Sequence, residues 1–148
     1  MIRPARAEDA EAVSALAIRS KAGWGYSEDL MAVFREELTV TGERLVELKG
    51  QVAEREGEMV GYYTLEARSS EEVELEHMFV APEVLREGIG SALMAHAVAR
   101  ARECGFKKMK IIADPHATEF YERQGAVRIG EHQSSIPGRR IPILELGL

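Results

Sequence analysis

The sequence predicts a mixed α/β fold, a sheet with helices packed on it, and three observations lead there. Short alternating apolar runs recur near the start, middle and end of the chain. Between them lie segments whose apolar residues follow helical spacing, the clearest of them ending at a glycine. The two patterns follow one another as βαα, a meander of strands, and then β-α-β-α-β-β.

Met1 to Pro4 reads as a first strand. From Glu8 to Lys21, Val13, Leu16, Ala17 and Ser20 keep helical spacing, with Glu8, Asp9 and Glu11 near the start, where the macrodipole favours acids. Gly23-Trp24-Gly25-Tyr26-Ser27 interrupts the pattern, and Ser27 is placed to cap a second helix from Glu28 to about Leu38. Leu45 to Glu56 is expected to be extended, broken by Gly50. The pair Gly57-Glu58 then turns it into a hairpin with Met59 to Glu66. Val73 to Val80 is the next strand, stopped by Ala81-Pro82. Gly88 to Cys104 is the clearest helix. Its stripe is Ile89, Leu93, Ala97, Ala101 and Cys104, and Gly105 sits at the cap position. A buried strand at Lys110–Ala113, a helix at Ala117–Gln124 and strands near Val127–His132 and Ile141–Leu146 complete the chain.

Composition narrows the class. The 148 residues carry 19 Lys+Arg against 25 Asp+Glu, a formal net charge of −6, with 45% hydrophobic and 30% charged residues. That is the composition of a soluble globular chain, and no linker or repeat divides it, so one domain over residues 1–148 is expected. The opening Met1-Ile2-Arg3-Pro4-Ala5-Arg6 has no apolar core of a signal peptide, and no apolar run approaches a membrane span. A cytoplasmic protein with no membrane and no nucleic-acid partner is the expectation. The single cysteine, Cys104, excludes an internal disulfide. His96, His116 and His132 show no paired metal-ligand spacing, so no metal is expected, and no Gly-x-Ser-x-Gly elbow is present.

The segment richest in chemistry is Val80-Ala81-Pro82-Glu83-Val84-Leu85-Arg86-Glu87-Gly88-Ile89-Gly90-Ser91-Ala92-Leu93. A strand ends, a loop follows, and Gly88 and Gly90 open a helix, where backbone N–H groups and the dipole favour phosphate. A dinucleotide fingerprint needs a third glycine where Leu93 stands, and the Gly-Lys-Ser/Thr of a P-loop is missing.

This segment resembles the acetyl-CoA loop of GNAT-type N-acetyltransferases, whose pattern is Gln/Arg-x-x-Gly-x-Gly/Ala. Downstream, Glu119-Phe120-Tyr121-Glu122-Arg123-Gln124-Gly125-Ala126 is similar to the family's Phe-Tyr-Glu-x-x-Gly-Phe segment, and Ile2-Arg3-Pro4-Ala5 looks like its first strand. The resemblance spans essentially the whole chain. It implies a single-domain GNAT-like α/β fold. Its central, mostly antiparallel sheet would have six to seven strands, splay after the fourth, and be flanked by about four helices. It also implies acetyl-CoA as cosubstrate and direct transfer of acetyl to an unidentified primary amine. Dimerisation is common in the family and often uses the last strands, which leaves a homodimer open. The rival is a non-catalytic acyl-CoA sensor or scaffold on the same fold.

Carried over residue by residue, the resemblance assigns the cofactor to Arg86, Glu87, Gly88, Ile89, Gly90 and Ser91, and to main-chain groups of Met78, Phe79 and Val80. The Val80 or Phe79 amide would serve as oxyanion donor. Tyr121 would be the acid that protonates the coenzyme A sulfur, and Phe120 beside it would be core. Glu76 is the first candidate for the base that deprotonates the amine, and His77, on the opposite face by alternation, the second. Two positions depart from the pattern. Leu85 stands where Gln or Arg is usual, with Arg86 adjoining. Asp114 and His116 stand where an asparagine usually touches the cofactor. Cys104, at a helix C-terminus where the dipole opposes a thiolate, is expected to be core, in keeping with transfer without an acyl-enzyme. The family's acceptor groove corresponds to Gly23–Tyr26 and Ser134–Arg140, which makes Trp24, Tyr26, His77 and Arg139 the candidates for substrate contact. Lys107, Lys108 and Lys110 read as solvated surface.

Overall fold

The computed structural model describes Met1–Leu148. Its strands are β1 (Ile2–Pro4), β2 (Gln51–Arg55), β3 (Glu58–Ala67), β4 (Glu72–Val80), β5 (Lys108–Ile112), β6 (Val127–Gln133) and β7 (Arg140–Gly147). They hydrogen-bond in the order β1-β2-β3-β4-β5-β7-β6. β4 and β5 run parallel, and the pairs β1–β2, β2–β3, β5–β7 and β6–β7 are antiparallel. The five α-helices are α1 (Ala10–Ala22), α2 (Glu28–Leu38), α3 (Gly42–Glu47), α4 (Ile89–Glu103) and α5 (Thr118–Arg123). Compactness groups the chain into two units, Met1–Leu65 with His77–Leu93, and Glu66–Glu76 with Met94–Leu148.

In the first unit, α1 buries Val13, Leu16 and Ala17 as its spacing predicts. Arg3 holds the helix entry to the strands. Its guanidinium meets both Asp9 oxygens at 2.8 and 3.0 Å, and its Nε reaches Glu54 at 2.8 Å. Beside Arg3, the Asp9 carboxyl sits below its ordinary value. Ser27 caps α2 as expected, its Oγ accepting from the Leu30 N–H at 3.3 Å.

The expectation of extended chain from Leu45 is corrected, because residues 42–47 form α3. Thr41 caps this helix by accepting from the Arg44 N–H at 3.1 Å. Leu45 and Leu48, one helical turn apart, are both buried, while Val46 is exposed. Three apolar residues in four satisfy a strand pattern and a one-turn helix pattern equally, and the cap decides between them. The hairpin turn lies one residue earlier than expected. Glu56 and Gly57 take the left-handed φ values of 54° and 80° that a two-residue turn requires, leaving Arg55 paired with Glu58.

Gly61 of β3 sets how closely α4 approaches. A Cβ there would lie 2.8 Å from Leu93 Cδ1, 3.3 Å from Ile89 Cγ2 and 3.1 Å from the Phe79 carbonyl oxygen. The ladder between β3 and β4 closes where the Ala81 N–H donates to the Val60 carbonyl, 2.8 Å away. At its other end the Arg68 N–H donates to the Glu72 carbonyl. The Ser69 N–H donates to the same carbonyl at 3.1 Å, so the turn between the two strands shares one acceptor between two donors.

In the second unit, Val73 and Leu75 of β4, Met109 and Ile111 of β5 and Leu144 of β7 make the core. The β4–β5 ladder covers Glu72–Glu74 and Lys108–Lys110, whereas β4 itself continues to Val80. α4 ends in a Schellman arrangement. The Phe106 N–H donates to the Ala101 carbonyl at 3.1 Å, the Gly105 N–H to that of Arg102 at 3.0 Å, and Gly105 takes φ 87°. Cys104 is thereby the C-cap residue and is exposed, which corrects its assignment to the core. The buried stripe is Leu93, Met94, Ala97 and Ala101, and after it the chain turns away.

Replacing Gly61 with Ala is expected to cost about 1–3 kcal/mol, the usual range for overpacking a tight contact. Thermal unfolding checks this, and an unchanged midpoint would mean that α4 recedes freely from β3.

Candidate active site

At the carboxyl end of β4, Pro82–Val84 form one 3-10 turn, with Pro82 at its first position, where the missing N–H costs nothing. Two left-handed residues follow, Arg86 at φ 68° and Gly88 at φ 86°. The first α-helical bond of α4 runs from the Ala92 N–H to the Gly88 carbonyl at 3.0 Å. The preceding N–H groups of Ile89 and Gly90 thus lie in the turn whose donors a helix cannot satisfy internally. A Cβ on Gly88 would meet nothing within 4 Å, so the glycine is there for its backbone angle, and the space above it is open to a ligand. This suits the phosphates of a nucleotide-type cosubstrate, and Arg86, exposed on the same loop, supplies a cation.

The two glutamates of the loop are paired. Glu87 meets Arg55 of β2 at 2.9 Å, and Glu83 meets Arg19 of α1 at 3.2 Å. An intra-loop backbone bond, and then Arg19, keep the Glu83 carboxyl below its ordinary value. Met78, Phe79 and Val80 are partly buried. Tyr62, fully buried on β3, packs its ring on Phe79 and places its hydroxyl 3.1 Å from Nδ1 of His77. Burial holds the Tyr62 phenol well above its ordinary value, so it stays protonated. The His77 N–H donates to Thr64 Oγ1 at 3.0 Å rather than to a strand carbonyl.

In the α1–α2 connection Trp24 is 39% exposed and Tyr26 is partly buried. The Tyr26 ring stands edge-on to Phe34 at 4.9 Å, and the buried Lys21 ammonium lies 4.5 Å from the Phe34 centroid and 5.6 Å from that of Tyr26. The sequence pattern gave no sign of Lys21 beyond its place one turn after Ala17.

The second unit brings together Tyr121, Asp114, His116 and Arg139. Tyr121, on α5, is buried, whereas Phe120 is partly exposed, the reverse of the expected core assignment. Burial, and then the Asp114 charge, push the Tyr121 phenol well above its ordinary value, so it stays protonated. Asp114 ends the β5 segment and caps the turn that starts α5. Its Oδ1 accepts from the His116 N–H at 2.8 Å and lies 2.9 Å from His116 Nδ1, while Oδ2 faces Arg139 Nη2 at 3.8 Å. The Asp-Pro at the end of a strand was the available signal for this cluster. Glu76 lies 3.4 Å from Arg68, whose guanidinium also binds the buried Glu74 at 2.9 Å. No group of three His, Cys, Asp or Glu side chains is arranged to hold a metal ion, and no helix is long and apolar enough to cross a membrane.

A strand end, a left-handed loop and a helix start follow one another over residues 78–92. The family model for the GNAT acetyltransferase domain matches residues 9–136, and the chain belongs to that family. No curated protein matches it by sequence. Among solved structures, it is similar to the GCN5-related N-acetyltransferase of Rhodopseudomonas palustris, with TM-score 0.85 and 20% identity over 100% of this chain and 95% of that one. The PaiA N-acetyltransferase of Thermoplasma acidophilum, in complex with coenzyme A, gives TM-score 0.78 and 20% identity over 100% and 98%. A GNAT family acetyltransferase of Elizabethkingia anophelis with acetyl-CoA bound gives 0.72 and 18% over 100% and 97%. At these identities the likeness establishes the fold.

The Glu74 carboxyl is raised above its ordinary 4.5, first by burial and then by Glu76, against the pull of Arg68. A raised carboxyl binds its proton more tightly in the folded chain, so its contribution to stability is full below 4.5 and is lost as pH rises through the folded value. Glu74→Gln removes that loss. Denaturant unfolding from pH 4 upward should show the variant gaining on the parent as pH rises, and parallel curves would contradict it.

Proposed function

We propose that this chain carries acetyl from acetyl-CoA directly to a primary amine of a small molecule or peptide. The observation that carries this reading is the loop 86–91, where two left-handed residues lead into an open helix turn. The coenzyme A and acetyl-CoA bound to its structural neighbours agree with it.

Acetyl-CoA supplies an acetyl group already activated as a thioester, and the chain's residues hold and relay. Amides of Gly88–Ser91 and the Arg86 guanidinium take the phosphates, and main-chain groups of Met78–Val80 take the pantetheine arm, with a Phe79 or Val80 N–H toward the developing oxyanion. Tyr121, kept protonated by its burial, donates to the departing sulfur. Glu76, directly or through water, takes the proton of the attacking amine, with His77 the second candidate. Cys104, exposed at the C-terminal cap of α4, takes no part in this direct transfer.

Tyr121→Phe is expected to lower turnover by about 100-fold, the scale of a lost general acid. Its affinity for acetyl-CoA, read by calorimetry, should stay near that of the parent. Thiol release from acetyl-CoA across amines, polyamines, aminoglycosides and peptide N-termini tests the activity itself. Tight acetyl-CoA binding with no thiol release from any acceptor would replace transfer by a sensing role. A homodimer through β6 is part of the same proposal. This strand ends the sheet order and leaves Val127 64% and Ile129 57% exposed. Light scattering should return twice the 16.4 kDa chain mass, and a monomer would refute the pairing.

A further inference from the structure

We infer that Arg55, at the end of β2, belongs to the cosubstrate site, where its guanidinium passes from Glu87 to a phosphate of acetyl-CoA when the cosubstrate binds. Glu87 is then the stand-in anion that the phosphate displaces. The inference rests on reading the loop 86–91 as the acetyl-CoA site, and it adds to that site a residue from outside the loop.

The side chains of the loop supply no net positive charge. Between Leu85 and Ser91 the ionised groups are Arg86 and Glu87, which cancel, and the whole chain carries −6. The phosphates of acetyl-CoA, each ionised at neutral pH, are therefore served by a cation from another element. Arg55 is such a cation, and it already touches the loop. Its Nη1 lies 2.9 Å from Glu87 Oε1. Glu87 directly precedes Gly88, whose carbonyl accepts the first α-helical bond of α4. The residue that holds the guanidinium is thus one Cα step, about 3.8 Å, from the helix start.

The hairpin keeps Arg55 at this place. Arg55 pairs with Glu58 across the two-residue turn of Glu56 and Gly57, at φ 54° and 80°. A little further along β3 the Val60 carbonyl accepts from the Ala81 N–H at 2.8 Å, where β4 ends. Hairpin turn and loop therefore leave the same end of the sheet, within one compact unit. A side chain carried by a tight, paired hairpin gives up little freedom on gaining a ligand.

The bond to Glu87 is suited to exchange. Its two side chains are 45% and 46% exposed, and an exposed ion pair contributes little to stability. Glu83, the other glutamate of this connection, is held more firmly. Both its oxygens lie 3.2 Å from Arg19 Nη1, and a backbone bond within the residue holds the carboxylate as well. The Glu87 carboxylate is held by Arg55 alone. A phosphate presents several oxygens to the guanidinium fork and binds it more strongly than one exposed carboxylate does. Its arrival also sets two anions side by side, which drives Glu87 off Arg55 and into water.

Calorimetry with acetyl-CoA, 3′-dephospho-acetyl-CoA and S-acetylpantetheine tests this on the intact chain. Arg55→Gln should weaken acetyl-CoA by about tenfold, the scale of one charge-assisted contact, and leave the phosphate-free S-acetylpantetheine within about twofold. Arg55→Lys should keep part of the affinity. Glu87→Gln should tighten acetyl-CoA by about threefold, because the competing anion is gone. Arg19→Gln removes a similarly exposed pair and should stay within about twofold of the parent. An Arg55→Gln loss that persists with 3′-dephospho-acetyl-CoA supports the inference with the pyrophosphate as partner, and one that disappears supports it with the 3′-phosphate. Weaker acetyl-CoA binding in both Arg55→Gln and Glu87→Gln would mean that the pair only shapes the loop, and would overturn the inference. An unchanged affinity in Arg55→Gln, an equal loss in Arg19→Gln or an equal loss on S-acetylpantetheine would overturn it too. A parent that binds acetyl-CoA no better than S-acetylpantetheine would instead overturn the reading of the loop beneath it.

Discussion

The close seating of α4 on β3 is the constraint on which the end of β4 depends. Gly61 leaves no side chain between the Phe79 carbonyl and the Leu93 and Ile89 side chains, so the helix can begin directly where the strand stops. A short 3-10 turn and two left-handed residues then suffice to turn the chain from strand to helix. The backbone donors of the first helical turn are consequently presented by a short, stiff connection, which favours binding by main-chain groups over flexible side chains.

Arginines manage the acidity of this chain locally. Arg19 and Arg55 pair with the two glutamates of the loop, and Arg68 gathers Glu74 and Glu76. The exposed pairs of Arg19 and Arg55 add little stability, but they offset negative charge on the loop where an anionic cosubstrate is proposed to lie. The partly buried pair of Asp114 and Arg139 is different, because desolvation makes its geometry matter. Its neighbour Tyr121 feels both burial and the Asp114 charge, and each keeps the phenol protonated.

Much of this was legible in residues. The spacing from Val80 to Leu93 and the segment from Glu119 to Ala126 carried the family resemblance, and the family match over residues 9–136 agrees with it. Ser27, Gly105 and Pro82 act where local rules put them. The α3 segment misled because Leu45, Val46 and Leu48 fit two periodicities at that length, and only the Thr41 cap distinguishes them. Cys104 misled because stripe geometry assumes that the helix goes on, whereas the Schellman turn ends it at Glu103.

The sequence by itself determined the class of fold and the family, because helix caps, left-handed glycines and apolar periods act over a few neighbouring residues. Tertiary structure alone decided which charged groups work together. Arg68 with Glu74, His77 with Tyr62, and Arg139 with Asp114 and His116 are meetings of side chains from different strands, turns and loops. Such meetings depend on register and burial, quantities set by packing across the sheet that no local pattern encodes.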